Sequence, residues 1–219
     1  MSEKNIELSL EDEKKKQVIG LYGEMQLAMK LHSLGWQVHR SYIDEGIDFV
    51  ISKYYCKACE KFSNQFIRQD SWQGKSAKCV TNLCESCKKE RLDIVTKYLQ
   101  VKTSEGKPIY NKDRLVENER NFSFHPKIRY DMDNCVFYVW IAVFADSENL
   151  EQATIHYYIF HSSAVVKFDD ISLPTYQITD NQKTTLRINK QGQILNKGKK
   201  YNYGCFKEFY NYFEILEKF

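Results

Sequence analysis
Residues 98–104 read YLQVKTS. Side chains two apart on a β-strand share a face, so Leu99 and Val101 point one way while Gln100 and Lys102 point the other. The apolar pair predicts a strand laid on a core, and Lys102 then stands off that core. Either its ammonium does chemistry or it snorkels from a strand end into solvent.

Upstream, Val18, Leu21, Tyr22, Met25, Ala28 and Met29 fall at i, i+3, i+4, i+7 spacing, and Gly35 follows as a stop. This predicts an amphipathic helix over 13–34, with that stripe on the core and Glu24 at its border. WQVHRSY and GIDFVISKYY, joined through Asp44-Glu45-Gly46, predict a β-hairpin in which Asp48 faces away from Ile47 and Phe49. If that hairpin neighbours YLQVK, then Asp48, Gln100 and Lys102 share a patch, with Glu24 approaching from the helix. Carboxylates, a carbonyl oxygen and water are hard ligands suited to Mg²⁺, and an adjacent lysine can orient water or offset charge on a phosphoryl group. Taken singly, these residues suit plain structural roles: Asp48 as a hairpin cap, Glu24 paired with Lys14 or Lys30, and Lys102 snorkelling. Their order and spacing together point to a metal-dependent phosphodiesterase.

Between the hairpin and YLQVK the pattern breaks into a polar, basic, cysteine-rich stretch. Cys56-x2-Cys59 and Cys84-x2-Cys87 are two knuckles with twenty-four residues between them and Cys79 inside the gap. Two such knuckles can present four thiolates to one Zn²⁺, folding a segment too poor in apolar residues to fold alone. A four-sulfur site has no open position for a catalytic water, so it reads as structural. An iron–sulfur cluster, or Cys79 in place of one ligand, stays open. Cys135 and Cys205 sit in apolar contexts that suit inert core residues. The expected organisation is a core of residues 1–53 and 98–219 interrupted by a module at 54–97.

Downstream, a short helix is expected near 124–132. CVFYVWIAVFA reads as a central strand and ATIHYYIFHS as the next. A basic loop over 181–207 and a closing amphipathic helix carrying Phe206, Phe209, Tyr210, Phe213 and Leu216 complete the order. The 219 residues, 42% hydrophobic, suffice for one sizeable core, with no run of the eighteen or more apolar residues a membrane span needs. The charged N-terminus is unlike a secretory signal, and the reading is cytoplasmic, where seven cysteines favour metal over disulfides. The net charge of +3 is unevenly spread: between Lys53 and Lys97 ten Lys/Arg stand against five Asp/Glu, and 181–207 has Lys183, Arg187, Lys190, Lys197, Lys199 and Lys200 with no acid. Two basic zones on a near-neutral body suggest a polyanion partner; a solvated lysine face is the plainer reading.

The succession GEMQLAMKLHSLGWQV, DEGIDFVI, LQVKTS resembles the core of the PD-(D/E)XK nuclease superfamily, in particular its Mrr-like branch of restriction endonucleases. That branch pairs a helix glutamate with a D-x-G-I-D strand and a Q-V-K strand. The resemblance covers residues 20–52 and 98–104. It implies an α/β fold: a restriction-endonuclease-like core, with a mixed central β-sheet flanked by helices, carrying an inserted zinc-ribbon-like module. It further implies Asp48 as principal Mg²⁺ ligand, Glu24 as supporting acid, Gln100 in the second acid's place, the Val101 carbonyl as a metal ligand and Lys102 as the catalytic lysine. Ile47 stands where the superfamily often has proline. Gln100 is neutral and a weaker Mg²⁺ ligand than a carboxylate, although glutamine is itself a feature of this branch.

The function expected is therefore a Mg²⁺-dependent endonuclease hydrolysing double-stranded DNA, in restriction or defence against foreign DNA, with structural Zn²⁺ at Cys56, Cys59, Cys84 and Cys87. Cutting both strands favours a homodimer. The alternatives are a repair or junction-resolving nuclease, a catalytically inactive zinc-containing nucleic-acid-binding module, and an RNA substrate.

Overall fold
The computed structural model describes residues 3–41, 46–64, 66–73, 77–88, 90–124, 136–145, 150–161, 184–195 and 206–218. The chain divides into two compact units, Ala28–Tyr98 and Met1–Leu27 with Leu99–Phe219. It is α/β, a multi-strand sheet with few helices. One long helix, α1 (Glu3–Ser33), opens the chain, and no helix among the described residues is long and apolar enough to cross a membrane.

The expected helix is present but its buried stripe is not the expected one. Ile19, Gly23, Leu27 and Leu31 are buried, whereas Val18, Leu21, Met25 and Met29 are each about half exposed, Met25 at 56%. A Cβ at Gly23 would lie 2.3 Å from the Thr103 hydroxyl, so the helix backbone rests directly on that strand residue. At about 100° per residue, Ile19 and Leu27 share Gly23's face, while Met25 lies about 200° away and looks outward. The apolar spacing identified a helix, and the missing side chain of glycine decided which face it buries.

In the Ala28–Tyr98 unit, β1 (Gln37–Arg40) pairs antiparallel with β2 (Phe49–Cys56), Gln37 opposite Ser52 and Arg40 opposite Phe49. This is the expected hairpin; of its turn residues, Asp44 and Glu45 lie outside the described residues. Next come β3 (Lys61–Ser63), antiparallel to β2, and the β4 (Phe66–Gln73) and β5 (Ala77–Cys84) pair. The strand that holds YLQVK is β6 (Asp93–Glu105), longer than the motif alone suggests. Lys53 is buried here, donating to the Leu34 carbonyl at 2.7 Å and lying 5.6 Å from the Trp36 ring.

In the other unit, β7 (Lys107–Asn111) and β8 (Arg114–Phe124) form a hairpin that was not expected. Its turn is Lys112-Asp113, both at positive φ (47° and 65°), the backbone of a primed turn built without glycine. Phe124 is the last residue of β8 and not the start of a helix; 125–132 lie outside the described residues. β9 (Val136–Phe144), the expected central strand, is buried at all nine positions, and β10 (Thr154–His161) pairs with it antiparallel from Thr154↔Phe144 to His161↔Phe137. Within this unit the order is β6, β9, β10.

The segment read as a basic loop contains a strand, β11 (Thr184–Asn189), paired with β8. Leu186 and Ile188 are buried while Thr185 and Arg187 are exposed, a period of two that the charges obscured. β7, β8 and β11 make a second sheet. Its Phe122, Phe124, Leu186 and Ile188 meet Tyr138, Trp140, Ala142, Phe144, Tyr158 and Phe160 of β9 and β10, so sheet rather than helix covers that face. Trp140 sits 4.8 Å from Phe124, 5.0 Å from Tyr158 and edge-on to Phe122 at 6.3 Å. Aromatic pairs in such geometry contribute about 0.5–1.5 kcal/mol each beyond burial.

The closing amphipathic helix is replaced by a four-residue helix, α2 (Phe206–Phe209), and a 3-10 turn at Phe213–Glu217. Asn211 at φ 53° breaks the run between them: its N–H donates to the Tyr157 carbonyl at 2.8 Å and Tyr210 bridges to Tyr158. Phe209, Phe213 and Leu216 are nevertheless buried, as their spacing predicts.

Candidate functional site
The clearest constellation is the cysteine cluster. Cys56 ends β2 and is paired with Lys61 of β3, so Lys57–Glu60 is forced into a tight loop. Cys84 ends β5, where Leu83 bridges Arg91 and again encloses a short loop. Each knuckle closes on a residue in the left-handed region, Glu60 (φ 52°) directly after Cys59 and Lys88 (φ 58°) directly after Cys87. The Lys88 N–H donates to the Cys84 carbonyl at 2.7 Å and the Glu60 N–H to the Lys57 carbonyl at 3.3 Å. These turns aim both cysteines of each knuckle inward.

The four Sγ atoms lie within 4.8 Å of one another, with Cys56 to Cys87 and Cys59 to Cys84 both at 3.8 Å. A disulfide needs about 2.05 Å, so these are free thiols. A tetrahedron of sulfurs about 2.3 Å from one metal has edges of about 3.8 Å, the spacing of both cross-knuckle pairs. The set can hold one four-coordinate ion such as zinc, and it is complete without Cys79, which lies opposite Ser71 on β5.

Electrostatics point the same way. Side-chain hydrogen bonds with Cys56 and Cys84, together with burial, push the Cys59 thiol up to about 12. Burial raises Cys56, while the backbone N–H of Cys87 lowers Cys84 by stabilising its thiolate. A central cation removes the repulsion that keeps such a group protonated. Around the cluster, Leu92 is buried with Tyr54 packed against it, the Tyr54 hydroxyl accepts from Asn82 at 3.0 Å, and Lys57 pairs with Asp93 at 3.0 Å on the surface.

The acidic and lysine residues divide between the units. Glu24, Gln100, Val101 and Lys102 belong to Met1–Leu27 with Leu99–Phe219. There, Gly23 and Thr103 touch, so Glu24 and Lys102 are each one residue from the same helix–strand contact. Leu99 and Val101 are buried as the period-two reading requires, Gln100 is buried at 8%, and Lys102 is exposed. Asp48 belongs to Ala28–Tyr98, half-buried just before β2, with its carbonyl accepting from the Ser41 N–H at 3.0 Å.

Lys102 lines a cleft of about 580 Å³ together with Lys15 and Lys16 of α1 and Lys107 of β7. Sequence reading overlooked these three: the Lys14-Lys15-Lys16 run was the available signal, but only the topology sets it across from β6. Of the basic residues in 181–207, Arg187 is ion-paired with Glu119 of the neighbouring β8 and Lys190 is exposed after β11. Lys183, Lys197, Lys199 and Lys200 lie outside the described residues.

No protein-family model matches the chain, and no solved structure does. Among curated proteins, the chain is similar to the type II restriction enzyme BslI subunit beta of Bacillus sp. (strain NEB-606), 30% identical over 96 residues. The match covers 44% of this chain and 27% of that subunit, so the chain spans about a quarter of its relative's length.

Proposed function
We propose that the chain is a Mg²⁺-dependent endonuclease that hydrolyses double-stranded DNA in restriction or another defence against foreign DNA. The similarity to a restriction enzyme subunit is the observation that carries this reading. The motif order G-E, D-E-G-I-D, Q-V-K and the Gly23–Thr103 packing beside Glu24 and Lys102 support it. In this reading the core belongs to the PD-(D/E)XK superfamily, Mrr-like branch. Residues 54–97 form an inserted module whose four cysteines hold a structural Zn²⁺.

Asp48, Glu24 and the Val101 carbonyl are oxygen donors of the hard kind that Mg²⁺ takes, and they would hold it. Bound there, the metal supplies water activation and charge neutralisation at the phosphoryl group. Lys102, exposed on β6, donates hydrogen bonds to the attacking water or to a non-bridging phosphate oxygen, holding it in line. Gln100, a neutral buried amide, stands in the second acid's place. A homodimer would bring a second site for the second strand.

Supercoiled plasmid incubated with Mg²⁺ tests this. The wild-type chain nicks or linearises it, omission of Mg²⁺ stops the reaction, and Asp48→Ala lowers the rate at least about 100-fold. Undiminished cleavage by Asp48→Ala refutes the assigned metal ligand. Gln100, neutral where an acid is usual, favours one second reading, a nuclease-like module that binds DNA without cutting it. Salt-sensitive binding with no cleavage under any divalent cation would select it.

A further inference from the structure
The lysine-lined cleft is not used by the chemistry above, apart from Lys102. Four lysines reach it from three elements: Lys15 and Lys16 from α1, Lys102 from β6 and Lys107 from β7. Asp12 and Glu105 are its acids, so the lining carries a net charge of +2 (four cations less two anions). Glu105 is committed to Lys15 at 3.3 Å, which steadies that side chain across the cleft from β6. Among the described residues, Lys16, Lys102 and Lys107 have no such carboxylate partner.

The floor is neutral and satisfied. The Trp140 indole N–H donates to the Ser104 hydroxyl at 3.1 Å, and that hydroxyl donates to the Ser123 carbonyl at 2.6 Å. The binding capacity therefore sits in the cations, which come from three elements, α1, β6 and β7. Ammonium groups on flexible stems, carried by separate elements along a cleft of about 580 Å³, suit successive phosphates of a polyanion.

We infer that this cleft carries the phosphate backbone of duplex DNA, with Lys15, Lys16 and Lys107 as backbone-binding positions that lead the strand to Lys102. The inference rests on the nuclease reading and extends it to the path of the substrate. These contacts are to phosphates, so they set affinity and register and read no sequence.

The test is fluorescence anisotropy of a labelled duplex with the full zinc-loaded chain, Mg²⁺ omitted, over a potassium chloride series. Two phosphate contacts correspond to a log–log salt slope of about 1.8. The Lys16→Ala, Lys107→Ala double variant should therefore bind at least tenfold more weakly with a slope shallower by about 2, whereas Lys218→Ala keeps the wild-type slope. Lys16→Arg, Lys107→Arg should restore both values, which a folding defect would not allow. If the wild type binds the duplex and the alanine double variant keeps its affinity and slope, the cleft assignment falls while the nuclease reading stands. If the wild type neither binds nor cuts the duplex, both fall.

Discussion
The cysteine end of the Ala28–Tyr98 unit and the aromatic core of the other unit are held by opposite means. Around Cys56, Cys59, Cys84 and Cys87 the buried apolar support is Leu92, with Tyr54 packed against it. In the other unit β9 is buried along its whole length and eleven residues from four strands and α2 make one continuous cluster. A core of that kind is stabilised by apolar area and close packing, spread over many contacts. A metal ion held by the four cysteines would concentrate the stabilisation of that end in one coordination shell. One region should fail gradually under substitution and the other all at once.

Loss of the metal shell should have the largest effect. Structural zinc contributes apparent binding free energies of about 10–16 kcal/mol, so Cys84→Ser should remove the metal, measured by elemental analysis, and unfold the knuckles. Hydrogen exchange should show β2 and β5 amides losing protection while β9 and β10 keep theirs. Uniform loss in both units would break the comparison.

Trp140→Ala should follow. The residue is fully buried among Phe122, Phe124 and Tyr158, and truncation of such a side chain costs about 3–5 kcal/mol in a denaturant titration. The metal content should remain one equivalent.

Acid should act on the aromatic region by a smaller amount. His156 is buried with its Nδ1 3.1 Å from the Tyr210 hydroxyl and its Nε2 without a partner among the described residues. Burial lowers its pKa from 6.5 to about 4. Because the unfolded chain takes up this proton first, stability is complete above about 6.5 and falls as pH drops toward 4. The loss is at most about 3 kcal/mol, from 1.36 kcal/mol per unit. A His156→Phe variant should show a flatter stability profile between those pH values.

The smallest effect belongs to the knuckle turns. Glu60→Gly and Lys88→Gly place glycine where φ is 52° and 58°, and each should raise the melting temperature slightly, by about 0.5–1 kcal/mol of stability. A decrease would mean that their side chains, not their backbones, matter there.

The same contrast explains what the sequence made legible. Cysteine spacing is a local signal, and the ligand set read from it is the set whose sulfurs cluster. An unbroken apolar run is local too, and CVFYVWIAVFA became β9. The outward face of α1 was misread because Gly23, which decides the packing, has no side chain to count. The β7–β8 turn was invisible because Lys112 and Asp113 take positive φ without glycine. β11 was hidden because Arg187 and the flanking Lys183 and Lys190 outweighed the alternation of Leu186 and Ile188. The cleft lysines, distant in sequence, become neighbours only through the fold.

The nuclease assignment meets its most direct test in Lys102→Ala. With Mg²⁺ and supercoiled plasmid, the wild-type chain should yield nicked or linear product, and the variant should lose at least about 100-fold in rate while still binding the duplex. Cleavage by Lys102→Ala at the wild-type rate would contradict the account.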